Sequence, residues 1–148
     1  MKSLLLLLFL VLYAYGNDVM LDTASTQQSQ KMNTTLKITI GTYTFKALLL
    51  DNETTRALTQ MLPLNLELNE LNGNEKYFHF LTNLPTDSSP QKTIHSGDLM
   101  LWGSSSFVLF YQTFSTSYAY TKLGHIEDTT NLVHALGKGT VKIKLELE

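Results

Sequence analysis

Residues 36–49 read Leu36-Lys37-Ile38-Thr39-Ile40-Gly41-Thr42-Tyr43-Thr44-Phe45-Lys46-Ala47-Leu48-Leu49. Leu36, Ile38 and Ile40 alternate with Lys37 and Thr39, and Tyr43, Phe45, Ala47 and Leu49 resume the alternation beyond Gly41-Thr42. Successive side chains of a strand point to opposite faces, so a period of two marks a strand with one face buried and one in water. With Gly41-Thr42 as the turn, the two runs predict an antiparallel hairpin. The far end of the chain says the same: in Val141-Lys142-Ile143-Lys144-Leu145-Glu146-Leu147-Glu148 apolar and charged residues alternate without a break.

Between these ends the pattern changes twice. Asp51-Asn52-Glu53 supplies a capping side chain and an acid for the positive end of a helix, Ala57, Leu58, Met61 and Leu62 share one helical face, and Pro63 stops it. Asp128 suits the start of a second helix whose Leu132, Val133 and Leu136 face the core, with Gly137 at its C-terminal end. Strands are expected where Leu64, Leu66 and Leu68 alternate with polar residues, at 75–80 after the Asn72-Gly73-Asn74 turn, and at 98–102, 107–112 and 117–123. The run at 107–112 is apolar enough to be covered on both faces. Residues 82–92, with Pro85 and Pro90, have no periodicity and read as a surface loop. About eight short strands and two helices make a mainly β fold, best satisfied by a closed barrel. Side chains fill a barrel of that size, which puts any binding site on the outer wall or under a loop.

At 148 residues, 43% hydrophobic and 16% charged, the chain suits a single domain with a continuous core. It has no cysteine, so disulfides, thiolate metal sites and a cysteine nucleophile are excluded. Its net charge is -2 and its 11 lysines and arginines are scattered, which leaves no basic patch for nucleic acid. Residues 1–16 form a secretory signal pattern: Lys2, an apolar run from Ser3, and Ala14-Tyr15-Gly16 as a small-x-small junction. The run is shorter than the ~20 residues that span a bilayer, so no stable membrane span is expected after processing. Residues 17–33 are rich in Ser, Thr, Gln and Asn and read as a flexible linker, and 34–148 as the barrel domain. The organisation predicts an exported protein. Asn33-Thr34-Thr35 and Asn52-Glu53-Thr54 match the N-glycosylation pattern, although Asn52 also stands at a helix cap.

Three blocks are long enough to carry a resemblance: Glu70-Leu71-Asn72-Gly73-Asn74-Glu75-Lys76-Tyr77, Gly97-Asp98-Leu99-Met100-Leu101 and Phe114-Ser115-Thr116-Ser117-Tyr118. Through them the chain, from about Thr35 to Glu148, resembles the bacterial cyclophilin-like domain family of uncharacterised proteins. The resemblance implies a closed eight-stranded barrel with a helix over each end, and no known activity.

Prolyl isomerisation follows only by analogy of fold. True cyclophilins place a strand arginine near the prolyl nitrogen, where a cation weakens amide resonance against a barrier of ~18–20 kcal/mol. The single arginine here, Arg56, lies in the first helix, and Phe80 stands where Tyr77-Phe78-His79-Phe80 would need the arginine. No catalytic residue is assigned. Serine hydrolysis from His95-Ser96-Gly97-Asp98, or from Ser115 and Ser117 with His125, lacks a G-x-S-x-G elbow; the first group reads as a turn. His79, His95, His125 and His134 show no metal-ligand spacing, so neither a metal nor another cofactor is expected.

The aromatic residues stand out. Tyr77, Trp102, Tyr111, Phe114, Tyr118 and Tyr120 crowd the second half among hydroxyl residues such as Ser117. Aromatic faces with hydroxyl neighbours suit a groove for a peptide, a carbohydrate or another small-molecule ligand, and these residues with Ser117 form the candidate binding set. The alternative is that they are barrel core and cross-strand pairs.

Overall fold

The computed structural model describes residues 32–148; residues 1–31, covering the expected signal segment and most of the expected linker, and the side chains of Met32 and Asn33 lie outside the described residues. The elements run β1 (Met32–Ile40), β2 (Tyr43–Leu50), α1 (Glu53–Gln60), β3 (Leu64–Leu71), β4 (Glu75–His79), β5 (Ser89–Ile94), β6 (Asp98–Trp102), β7 (Ser106–Phe110), β8 (Phe114–Ile126), α2 (Leu132–Leu136) and β9 (Val141–Leu147). β1 thus takes in the last two residues of the expected linker, because the strand continues past an irregularity to pair Met32 with Leu50.

The hairpin of residues 36–49 has the register its alternation demands, with Ile38 opposite Phe45 and Ile40 opposite Tyr43. Eight strands follow one another round the wall as β2-β1-β9-β3-β4-β7-β6-β8, every pairing antiparallel. β2 pairs with β8 through Ala47–Ile126, Leu48–His125 and Leu49–Gly124, which closes the barrel. A Cβ on Gly124 would collide with the Leu48 carbonyl, so glycine permits that close approach. Leu36, Ile38, Leu49, Leu68, Leu99, Phe107, Leu109 and Leu145 fill the interior. Each contributes about 1.5–3 kcal/mol by leaving water.

The capping of α1 follows the sequence reading: Asn52 Oδ1 accepts the Thr55 N–H at 2.9 Å, and Thr55 Oγ1 accepts the Asn52 N–H at 3.2 Å. The other end of the Asn52 amide donates to the Lys122 carbonyl at 2.9 Å, so a glycan there would leave one N–H on that nitrogen for this bond. In α2, Leu132 and Leu136 are buried but Val133 is 52% exposed, because only one stripe of so short a helix reaches the barrel. Asp128 accepts from Thr130 N in the preceding turn rather than capping the helix.

Residues 82–92 are not wholly loop. Ser89–Ile94 forms β5, whose single buried residue, Ile94, leaves no alternation to read. β5 pairs with the first half of β8, from Ser89–Tyr120 to Ile94–Phe114, and this ribbon lies against the outside of the barrel. β8 is longer than expected because its first half serves β5 and its second half serves β6 and β2. A second, smaller core, Ile94, Met100, Val108, Phe110 and Tyr120, joins ribbon to wall. Covered by both cores, all of β7 is buried. Among the described residues no helix is long and apolar enough to cross a membrane.

Candidate functional site

The ribbon does not cover the wall completely. Between it and strands β4, β6 and β7 runs a groove of about 510 Å³. β4 presents Glu75, Tyr77 and His79 to it, since alternate residues of a strand share a face. Register places Val108 beside Tyr77 and Ser106 beside His79 on the floor, and Trp102 beside Ser106. β8 forms the opposite side with Phe114, Thr116, Tyr118 and Tyr120. The Asn72-Gly73-Asn74 turn closes one end with Asn72 and Asn74.

The rings support one another. Trp102 meets Tyr118 at 5.4 Å and Tyr120 at 5.2 Å between centroids, and Phe110 meets Tyr120 at 5.5 Å in an edge-to-face arrangement. Tyr120 is buried, whereas Tyr118 and Trp102 are 62% and 44% exposed, which leaves an aromatic rim open to solvent. Burial, followed by the charge of Glu75 and then Tyr118, pushes the Tyr120 hydroxyl up to about 12.

Of the residues singled out from sequence, the groove brings together Tyr77, Trp102, Phe114, Tyr118 and Tyr120. Tyr111 and Ser117 are not among them. β7 ends at Phe110, and the Tyr111 ring packs against the interior core, its hydroxyl donating to Glu70 Oε1 at 2.6 Å. Ser117 is exposed, at the irregularity where β8 advances three residues for two of β5, and does not line the groove.

Sequence reasoning missed the polar side chains at this site. His79 Nδ1 and Ser106 Oγ share a hydrogen bond of 2.6 Å on the floor. Glu75 is only 8% exposed and no hydrogen bond or ion pair satisfies its carboxylate among the described residues. Burial first, then the negative charge of Glu70, raises its pKa above the ordinary 4.5. The side-chain oxygen of Asn74 is fully buried without a donor among the described residues. The available signal was parity: Glu75, two residues before Tyr77, must share its face.

Lys76, next along the strand, points inward. Fully buried, its ammonium meets Glu70 Oε2 at 2.7 Å and donates to the carbonyls of Gly137 and Gly139 at 3.0 and 2.6 Å. Burial raises the Glu70 pKa, but hydrogen bonds from Lys76 and Tyr111 outweigh it and hold the group below its ordinary value. Arg56 is exposed on α1 and pairs with Asp51, away from the groove. No lysine or arginine lines the groove, and Glu75 is its one carboxylate, among the described residues.

The other histidines lie elsewhere. His95 N donates to Asp98 Oδ2 at 2.8 Å, forming the turn through Gly97 at φ 94°. His125 pairs with Asp98 across β6 and β8, and His134 meets Tyr43 edge-on at 5.9 Å. No three His, Asp or Glu side chains come together in metal-binding geometry among the described residues.

The model of the cyclophilin-like family matches residues 38–148, three-quarters of the chain and all but the first edge of the barrel. The chain belongs to the cyclophilin-like family. The solution structure of the hypothetical protein AF2241 from Archaeoglobus fulgidus is similar in fold, with a TM-score of 0.56 at 18% identity over 79% of this chain and 96% of that one. No curated protein matches the chain. The cyclophilin-like barrel is therefore shared beyond close sequence kinship, and the chemistry rests on the groove's own side chains.

Proposed function

We infer that this cyclophilin-like domain is an exported binding module that holds a small-molecule, carbohydrate or peptide ligand in the wall groove and does not isomerise prolyl bonds. The observation that carries this reading is the groove itself: a largely aromatic, half-open cleft of about 510 Å³ lined by one carboxylate, Glu75, and by Asn74, whose buried side-chain oxygen has no donor among the described residues. Prolyl isomerisation needs a donor to the amide nitrogen, whereas the acceptors here supply the opposite polarity. Export rests on the signal pattern of residues 1–16. The protein recovered from the medium should begin at Asn17 by intact mass, and that material should leave the cis-to-trans rate of a prolyl peptide at its uncatalysed value. Acceleration of that rate would overturn the binding-only reading, and full-length chain retained in membranes would overturn export.

The His79–Ser106 pair favours a second reading, an enzyme with an unusual site on the same wall, because a hydroxyl bonded to a ring nitrogen is half of a nucleophile–base arrangement. Ser106 is buried, however, and no carboxylate bonds to His79 among the described residues. Covalent labelling of Ser106 by a fluorophosphonate would favour this reading, and no labelling would oppose it.

A further inference from the structure

Glu75 poses a question that folding alone does not answer. A carboxylate partly withdrawn from water is disfavoured unless a partner replaces the hydration it loses, and Glu75 is mostly covered while its oxygens stay within reach of the groove. Lys76, its neighbour in sequence, has three such partners, yet Glu75 has none among the described residues. It sits across from Phe110 in the β4–β7 register, near Tyr120 and at the end of the groove where Asn74 holds a second oxygen without a donor. Two adjacent acceptors lacking donors call for a group with several N–H bonds. Among the described residues no lysine or arginine lines the groove, so none of them supplies that group. The walls suit the same guest, since the faces of Tyr and Trp attract cations, and a planar guanidinium stacks on them as well.

We propose that the groove recognises an N–H-bearing organic cation, a guanidinium or primary ammonium group, with Glu75 as its counter-ion and the Asn74 side-chain oxygen as a second acceptor. This deepens the binding reading above and depends on it. The cation enters past the exposed rings of Trp102 and Tyr118, so the body of the ligand lies along the aromatic rim while the charged end reaches Glu75. Binding gives the carboxylate the partner that no described residue supplies.

Trp102 is the chain's one tryptophan, so its fluorescence reports on the groove. The secreted protein is titrated with N-acetylarginine amide, with agmatine, and with N-acetylcitrulline amide, the neutral isostere. A neutral prolyl peptide and a disaccharide complete the set. The expected result is a saturable change with at least one of the two guanidinium compounds, at least tenfold weaker binding of the citrulline amide, and at least tenfold weaker guanidinium binding in Glu75→Gln. Tighter binding of the arginine amide than of agmatine assigns the site to a peptide side chain, the reverse order to a free cation, and either supports the proposal. Equal binding of arginine and citrulline amides overturns the cation inference while leaving the groove reading intact, and needs no variant. Silence of Trp102 towards every compound overturns the groove reading as well.

Discussion

Glu75 and Lys76 are consecutive residues of one strand, both charged and both buried, and they meet opposite fates. Lys76 enters the barrel and finds Glu70, Gly137 O and Gly139 O within hydrogen-bond distance. Glu75 faces outward, yet the ribbon of β5 and β8 covers that side too, and it finds no donor among the described residues. A buried charge surrounded by matched groups is part of the framework: it ties β4 to the segment between α2 and β9. A buried charge without such groups weakens the fold, and its presence is understood if a ligand completes it. The two sides of β4 thus divide the molecule into a self-sufficient interior and a groove that is incomplete alone.

The largest effect should come from breaking the interior pair. Glu70→Gln leaves the Lys76 ammonium buried without a counter-charge and puts one amide oxygen where two carboxylate oxygens served Lys76 and Tyr111, so denaturant melts should show a loss of about 3 kcal/mol. The loss should also follow pH. Because the folded protein holds the Glu70 pKa below its ordinary value, the stabilisation is present above about 4.5 and disappears as pH falls through the lower folded value. A loss below about 0.5 kcal/mol would mean that Lys76 is satisfied without its carboxylate, and would erase half of the contrast.

Glu75→Gln should have a smaller effect of opposite sign. Replacing an uncompensated buried charge with a neutral side chain of the same size should raise stability at neutral pH by roughly 1 kcal/mol. Destabilisation by more than that amount would show that the carboxylate has a structural partner after all.

The frame of the molecule was largely readable from sequence because it depends on period and punctuation. The alternations at 36–49 and 141–148 specify faces, and Asn52 specifies a helix start. β5 was not readable, since a strand held mainly by backbone bonds to β8 needs no apolar face, and Pro90 is tolerated at an edge. The same ribbon obscured the site. Where a wall is covered on both sides, alternation no longer says which face is interior, so Glu-Lys-Tyr-Phe-His-Phe at 75–80 does not reveal that Lys76 turns in and Glu75 towards the groove. Aromatic crowding located five groove residues, but included Tyr111, which lies just past the end of β7, and Ser117, which is exposed at an irregularity of β8. The hydrogen bond between His79 and Ser106 spans 27 residues of sequence and becomes visible only through the β4–β7 register.

The central claim is that Glu75 is a carboxylate without a partner in the free protein, and its titration tests this most directly. Carboxyl-carbon NMR of the protein, with Glu75 assigned through Glu75→Gln, follows that one group while Glu70, His79, Tyr111 and Tyr120 around it are accounted for. Burial and the nearby Glu70 charge should place its midpoint above 4.5, so that the stability of the wild-type protein relative to Glu75→Gln is retained below that pH and falls as pH rises through the folded midpoint. A saturating guanidinium ligand should move the midpoint down. A midpoint at or below 4.5 in the free protein would contradict the account, because it would mean that Glu75 already has the donor or cation that the groove is held to lack.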